Sequence, residues 1–206
     1  MSFQYIFNNA ESISIDKGPV VAQTVARNNA VKTVSRGAAT WKFTVKLPNG
    51  IRYEDLRGVI ETIEQNDRHT SETIKLNNSG YTSWFTSYQG DSDVITGWDV
   101  TYTSGNTVTI NTEPSGTNLT NGEYTFKRGD LIQLGSGHTY TVASDVVYPA
   151  TTVTLHRPVL ESAGTHALTI GPECQFNVIC VQFPNWTIFQ RNQVSWNRPF
   201  IFYEVI

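Results

Sequence analysis

The side chains able to do chemistry are few and scattered. Four histidines, His69, His138, His156 and His166, show no metal-binding spacing such as H-x-x-x-H, and Cys174 and Cys180 do not complete one. In a single strand those two cysteines would stand about 20 Å apart, at roughly 3.3 Å per residue. A disulfide needs its Cα atoms within about 7 Å, so the plain reading is two buried thiols. Asp91, Asp93 and Asp99 could offer oxygens to a hard cation, or a carboxylate pair to glycan hydrolysis. The rest of a calcium loop is missing, and a solvated acidic loop explains them as well. There is no G-x-S-x-G elbow and no phosphate-binding loop. The sequence therefore assigns no catalytic residue, no metal ligand and no cofactor, and the chain reads as a non-enzyme.

Binding chemistry is better represented. Trp84, Phe85, Tyr88, Trp98 and Tyr102 form an aromatic-rich stretch. Aromatic faces stack on sugars, and Trp84, Trp98 and Tyr102 are the saccharide-stacking candidates; packing in a core or interface is the alternative. Arg128-Gly-Asp130 spells an adhesion tripeptide, but Gly with Asp is also ordinary turn chemistry leading into the strand at Leu131. The glycosylation sequons at Asn77, Asn118 and Asn185 need a secretory route. The N-terminal segment, with neither a basic region nor a signal-type apolar run, does not suggest one.

The elements that would position these residues are mostly strands. Trp41, Phe43, Val45 and Leu47 alternate with polar neighbours, the pattern of a half-buried strand, and Leu47-Pro-Asn-Gly-Ile51 signals a turn. Leu56, Val59, Ile60 and Ile63 fall at i, i+3, i+4 and i+7, which predicts one amphipathic helix over about 53–66 lying on a sheet, with Glu54 and Asp55 in its first turn. A short strand is expected at Thr73–Leu76. From Asn77 the composition turns to Ser, Thr, Gly and Asn. Strands are expected at Trp98–Tyr102, Val108–Thr112, Phe126–Leu134, His138–Ala143 and Thr152–His156. Cys174–Phe183 is a long strand, and Gly135-Ser-Gly137 reads as a hairpin turn.

The C-terminal segment is apolar to its last residue. In a strand, Ile201, Tyr203 and Val205 would face one side and Phe200, Phe202 and Ile206 the other. A strand apolar on both faces is expected to be covered on both. These six residues are the candidate subunit interface. The last strands resemble the first part of the chain more than the middle. The economical organisation is a discontinuous β domain with one flanking helix, residues 1–86 and 172–206, interrupted by an inserted all-β barrel, residues 87–171. Insertion is favoured at exposed polar stretches such as Asn77-Asn-Ser-Gly80.

With 15 basic and 18 acidic residues the net charge is -3, which disfavours nucleic-acid binding as the main task. Only 16% of residues are charged, which suits a subunit that covers much of its surface with partners. No apolar run reaches the roughly 18 residues of a membrane span.

Taken together, several stretches resemble the distal tail proteins of siphophages, most closely those of T-five-like phages. These are Ser35-Arg-Gly37, Trp41-Lys-Phe-Thr-Val45, Tyr53-Glu-Asp-Leu-Arg57, Gly129-Asp-Leu-Ile-Gln-Leu134, Tyr140-Thr-Val-Ala-Ser-Asp145, Val153-Thr-Leu-His-Arg-Pro158, Asn192-Gln-Val-Ser-Trp196 and Pro199-Phe-Ile-Phe-Tyr-Glu204. The resemblance spans nearly the whole chain. It implies a ring-forming domain related to tail tube proteins, a β-sandwich flanked by a helix, with an outward OB-like barrel. It further implies a structural virion protein, made in the host cytoplasm and assembled as a hexameric ring at the distal end of a long non-contractile tail. Its partners would be its own copies, the tail tube protein, the hub or tip proteins and tail fibres, with DNA only passing through the ring. A host-surface saccharide held by the inserted barrel is the alternative function.

Overall fold

The computed structural model describes residues 2–18, 39–65, 69–76 and 82–206, together with the backbone of 21–25 and 31–35. Three features of the sequence reading lie outside the described residues: Asn66, the Asn77–Gly80 stretch with its sequon, and Arg36-Gly37.

The protein is mainly β, and its sheets are antiparallel. One sheet has five strands in the order Ser12–Asp16, Lys42–Lys46, Phe200–Glu204, Gln175–Gln182, Glu72–Lys75. Period-two alternation decides its inner face. Phe43, Val45, Ile74, Phe176, Val178, Cys180, Phe200 and Phe202 are all buried there. Phe202 pairs with Phe43 on one side and Cys180 on the other, so the terminal strand is central rather than an edge.

Two helices close this inner face, where the sequence predicts one. Tyr53–Gln65 turns Leu56, Ile60 and Ile63 inward, while Val59 is only half-buried. The second helix, Ser2–Asn8, buries Phe3, Ile6 and Phe7. The ring of Phe3 meets Phe202 at 5.1 Å and that of Phe7 meets Phe43 at 5.6 Å, both edge-on. The carboxylate of Glu72 accepts from the Ser2 hydroxyl at 2.5 Å and the Phe3 N–H at 3.0 Å, which fixes the start of this helix.

The middle of the chain forms a second, curled sheet of six strands. Their order is Thr139–Thr141, Leu131–Leu134, Gly164–Ile170, Asp99–Tyr102, Thr107–Thr112, Thr152–Thr154. Its edges meet at one end. Val142 bridges Leu155, the Ala143 N–H donates to the Thr154 carbonyl at 2.7 Å, and the His156 N–H donates to the Thr141 carbonyl at 3.0 Å. The result is a partly closed barrel around Trp98, Phe126, Ile132, Tyr140 and Leu155. The expected Phe126–Leu134 strand is broken: Tyr124–Phe126 and Leu131–Leu134 are separate strands, divided by a turn in which Gly129 has φ 101°.

Among the described residues three smaller sheets complete the fold; in one, Tyr124–Phe126 pairs with Val146–Val147. Trp186–Phe189, Gln193–Trp196 and Ile51–Arg52 form the second, and the antiparallel pair Val21–Val25 and Val31–Ser35 forms the third. The chain leaves the first sheet and returns to it at neighbouring points. A Cβ on Gly171 would stand 3.1 Å from the Thr86 carbonyl oxygen, and Gly171 has φ 70°. Both the tight crossing and the left-handed backbone call for glycine.

Candidate functional site

The terminal strand separates its own two faces. Phe200 and Phe202 are sealed in the chain's own core, where Trp196 packs on Phe200 at 4.8 Å. They offer no side-chain surface to another subunit. Ile201, Tyr203 and Val205 point to the opposite, open face and are half-buried; Ile206 is 58% exposed. The expectation that this strand is covered on both sides therefore holds within the chain for one face and not for the other. Beside Tyr203 on the open face stand Ile179 and Lys42, its register partners, and the Lys42 ammonium lies 5.8 Å from the Tyr203 ring. The pairing slips between Cys180 and Gln182, and this bulge leaves Val181 unpaired and 64% exposed. An apolar strip of Ile179, Val181, Ile201 and Tyr203 thus runs across an otherwise hydrophilic face.

Glu204 breaks the strand's pattern. Its register is that of Phe200 and Phe202, so its carboxylate points inward, where a charge needs a partner. The partner is Arg157 of the curled sheet. The guanidinium meets the carboxylate at 2.5 and 2.6 Å and also donates to the carbonyls of Ala39 at 2.7 Å and Thr139 at 3.1 Å. The Trp41 indole N–H donates to the same Thr139 carbonyl at 2.8 Å. His156 lies against both Trp41 and Tyr140, and its Nδ1 accepts from the Thr141 N–H at 3.1 Å. Burial, then the positive charges of Arg157 and Lys17, push its pKa down to about 4. Leu131, from the curled sheet, belongs to the first sheet's hydrophobic cluster. The two β units are thus fastened by a buried polar and apolar seam. Spacing could not reveal the Arg157–Glu204 pair, but an acid in the inward register of an apolar strand was a legible sign that a cation lay opposite.

The saccharide-stacking candidates separate sharply. Trp98 is 1% exposed in the barrel core, with its indole N–H donating to the Val94 carbonyl at 2.8 Å, so it cannot stack on a ligand. Tyr102 packs against the same core. Trp84 alone is open, at 80% exposure.

Several of the remaining candidates are engaged structurally. Asp91 and Asp93 serve loops: Asp91 accepts from the Tyr124 N–H at 2.8 Å and Asp93 from the Asn118 amide at 3.1 Å. No cluster of three metal-ligating side chains occurs among the described residues. Asp130 of the Arg-Gly-Asp tripeptide is buried and accepts from the N–H groups of Lys127 and Gln89, so its carboxylate is closed to a receptor. His138 and Tyr140 share the Glu161 carboxylate, at 3.0 and 2.5 Å. Both cysteines are buried, and burial pushes the Cys174 thiol up to about 12. No family model matches this chain, and no curated protein matches its sequence.

Proposed function

We propose that the protein is a structural component of a siphophage tail, a distal tail protein that joins its own copies into a ring between tail tube and tail tip. The observation that supports this most directly is the open face of the terminal strand. Antiparallel sheets normally turn a polar side to water, yet Ile179, Val181, Ile201 and Tyr203 put an apolar strip on that side. Such a strip is the mark of a protein contact. A heterologous contact repeated around an axis closes a ring, which would leave a channel for DNA ejection.

The discontinuous arrangement agrees with this reading. The five-stranded sheet with its helices would be the ring-forming part, and the curled sheet would face outward. The curled sheet carries six strands, one more than the five-stranded OB type the resemblance implies.

The test is the mass of the purified protein at rising concentration, together with imaging of tail particles. A closed ring, expected to be six-fold, would support the proposal. A strict monomer that is absent from tails would overturn it.

A further inference from the structure

Trp84 is the most exposed of the large apolar side chains among the described residues, yet the helical turn that carries it, Ser83–Thr86, is pinned from below. Phe85 packs edge-on against Trp41 at 6.2 Å, Thr82 and Thr86 are buried, and the Thr82 hydroxyl donates to the Leu76 carbonyl. The indole is therefore held out into solvent on a firm base. A single exposed hydrophobe needs no explanation, but this one forms a wall of a groove of about 240 Å³ that also includes Lys17, Gln89 and Arg128.

The cations of this groove are poised. The Lys17 ammonium is fixed by the Thr141 hydroxyl at 2.7 Å and lies 5.7 Å from the Trp41 ring. Arg128 is exposed at the turn after Phe126. Among the described residues neither pairs with a carboxylate. Asp130, which also lines the groove, is buried and spends its oxygens on the N–H groups of Gln89 at 2.9 Å and Lys127 at 2.8 Å.

A bare aromatic plane beside two unpaired cations suits a ring with an apolar face and a negative substituent. An Arg fork matches a carboxylate or a phosphate, and a fixed ammonium adds to it. Two cations make no track for a polyanion, and the groove has room for about one sugar unit.

We propose that this groove binds an acidic sugar residue, with its ring face on Trp84 and its carboxylate or phosphate held by Arg128 and Lys17. The site does not depend on the ring reading, since a monomer can carry it and a ring can lack it.

The experiment is titration of the full chain with a galacturonate oligomer and with a hexose 6-phosphate, beside a neutral galactose oligomer, read by tryptophan fluorescence and by heat. The acidic probes are expected to bind at least about tenfold more tightly than the neutral one, and more weakly as salt is raised. Binding by only one acidic probe still supports the site and identifies the anion. Trp84→Ala should weaken binding about tenfold while melting stays unchanged, Trp84→Phe should keep part of it, and Arg128→Ala should erase the preference for acidic over neutral sugar. The proposal fails if no acidic probe saturates, if Trp84→Ala binds as the parent does, or if a single-stranded oligonucleotide binds more tightly than either sugar. It also fails if Trp84→Ala changes the assembly state and leaves sugar binding alone.

Discussion

Arg157 and Glu204 meet across the junction of the two β units with their side chains 1% and 2% exposed. Neither charge can be solvated, so each depends on the other. Removing one partner of such a pair costs about 3–5 kcal/mol, because the survivor stays buried and uncompensated. Glu204→Gln and Arg157→Met should each lower stability on that scale in chemical denaturation. The double variant Arg157→Met with Glu204→Leu should recover part of the loss, but not all of it, since the Ala39 carbonyl loses the guanidinium donor and the Trp41 N–H loses its carboxylate acceptor. A Glu204→Gln protein that unfolds at the parent's midpoint would show that the pair does not fasten the junction.

His156 makes stability depend on pH. Its folded pKa of about 4 lies below the ordinary histidine value near 6.5. As pH falls, the unfolded chain takes up this proton first. The stability contributed by neutral His156 is therefore complete above about 6.5 and drains away between there and about 4. Melting temperatures at several points across that window should fall with acid, and should fall less steeply in His156→Gln. Parallel curves for the two proteins would assign the slope to another group.

The helix Tyr53–Gln65 covers the inner face of the five-stranded sheet through Leu56 and Ile60. A carboxylate at either site would be buried without a partner. Leu56→Asp or Ile60→Asp should cost more than about 3 kcal/mol, whereas Arg57→Ala on the exposed side should stay within about 0.5 kcal/mol. Equal melting of parent and Leu56→Asp would contradict the packing.

The two faces of the terminal strand should respond to different measurements. Phe202→Ala opens a cavity beneath Phe3 and Phe7 of the Ser2–Asn8 helix and should cost about 3–5 kcal/mol. Tyr203→Ser with Ile201→Ser lies on the open face and should cost less stability than Phe202→Ala while abolishing the proposed association in sedimentation. Association that survives this double change would overturn the proposed subunit contact on this face.

Local periodicity made much of the fold legible. The alternation Trp41, Phe43, Val45 and Leu47 became a half-buried strand, and the i, i+3, i+4 pattern became the Tyr53–Gln65 helix. The Ser2–Asn8 helix went unread although Phe3, Ile6 and Phe7 carry the same spacing. Two turns are too short to repeat a pattern, and aromatic residues favour helix only weakly. Its helicity comes from packing on Phe43 and Phe202, which local sequence does not contain. The saccharide candidates divided for a related reason. Trp84 and Trp98 look alike as letters, and only the closing of the barrel decides that one is core and the other surface. The Arg157–Glu204 pair joins residues 47 apart, beyond any local spacing rule.

The crossing at Gly171 has a mechanical meaning. The curled sheet is tethered by two strands of chain that run side by side, and a pair of adjacent tethers is a hinge: it permits swinging about the line that joins them. The grip of Arg157 on Glu204, drawn from other segments, adds a third anchor and locks that swing. The direction in which the curled sheet points is therefore encoded within each chain. In a ring, every copy would present it at the same angle before any neighbour arrived.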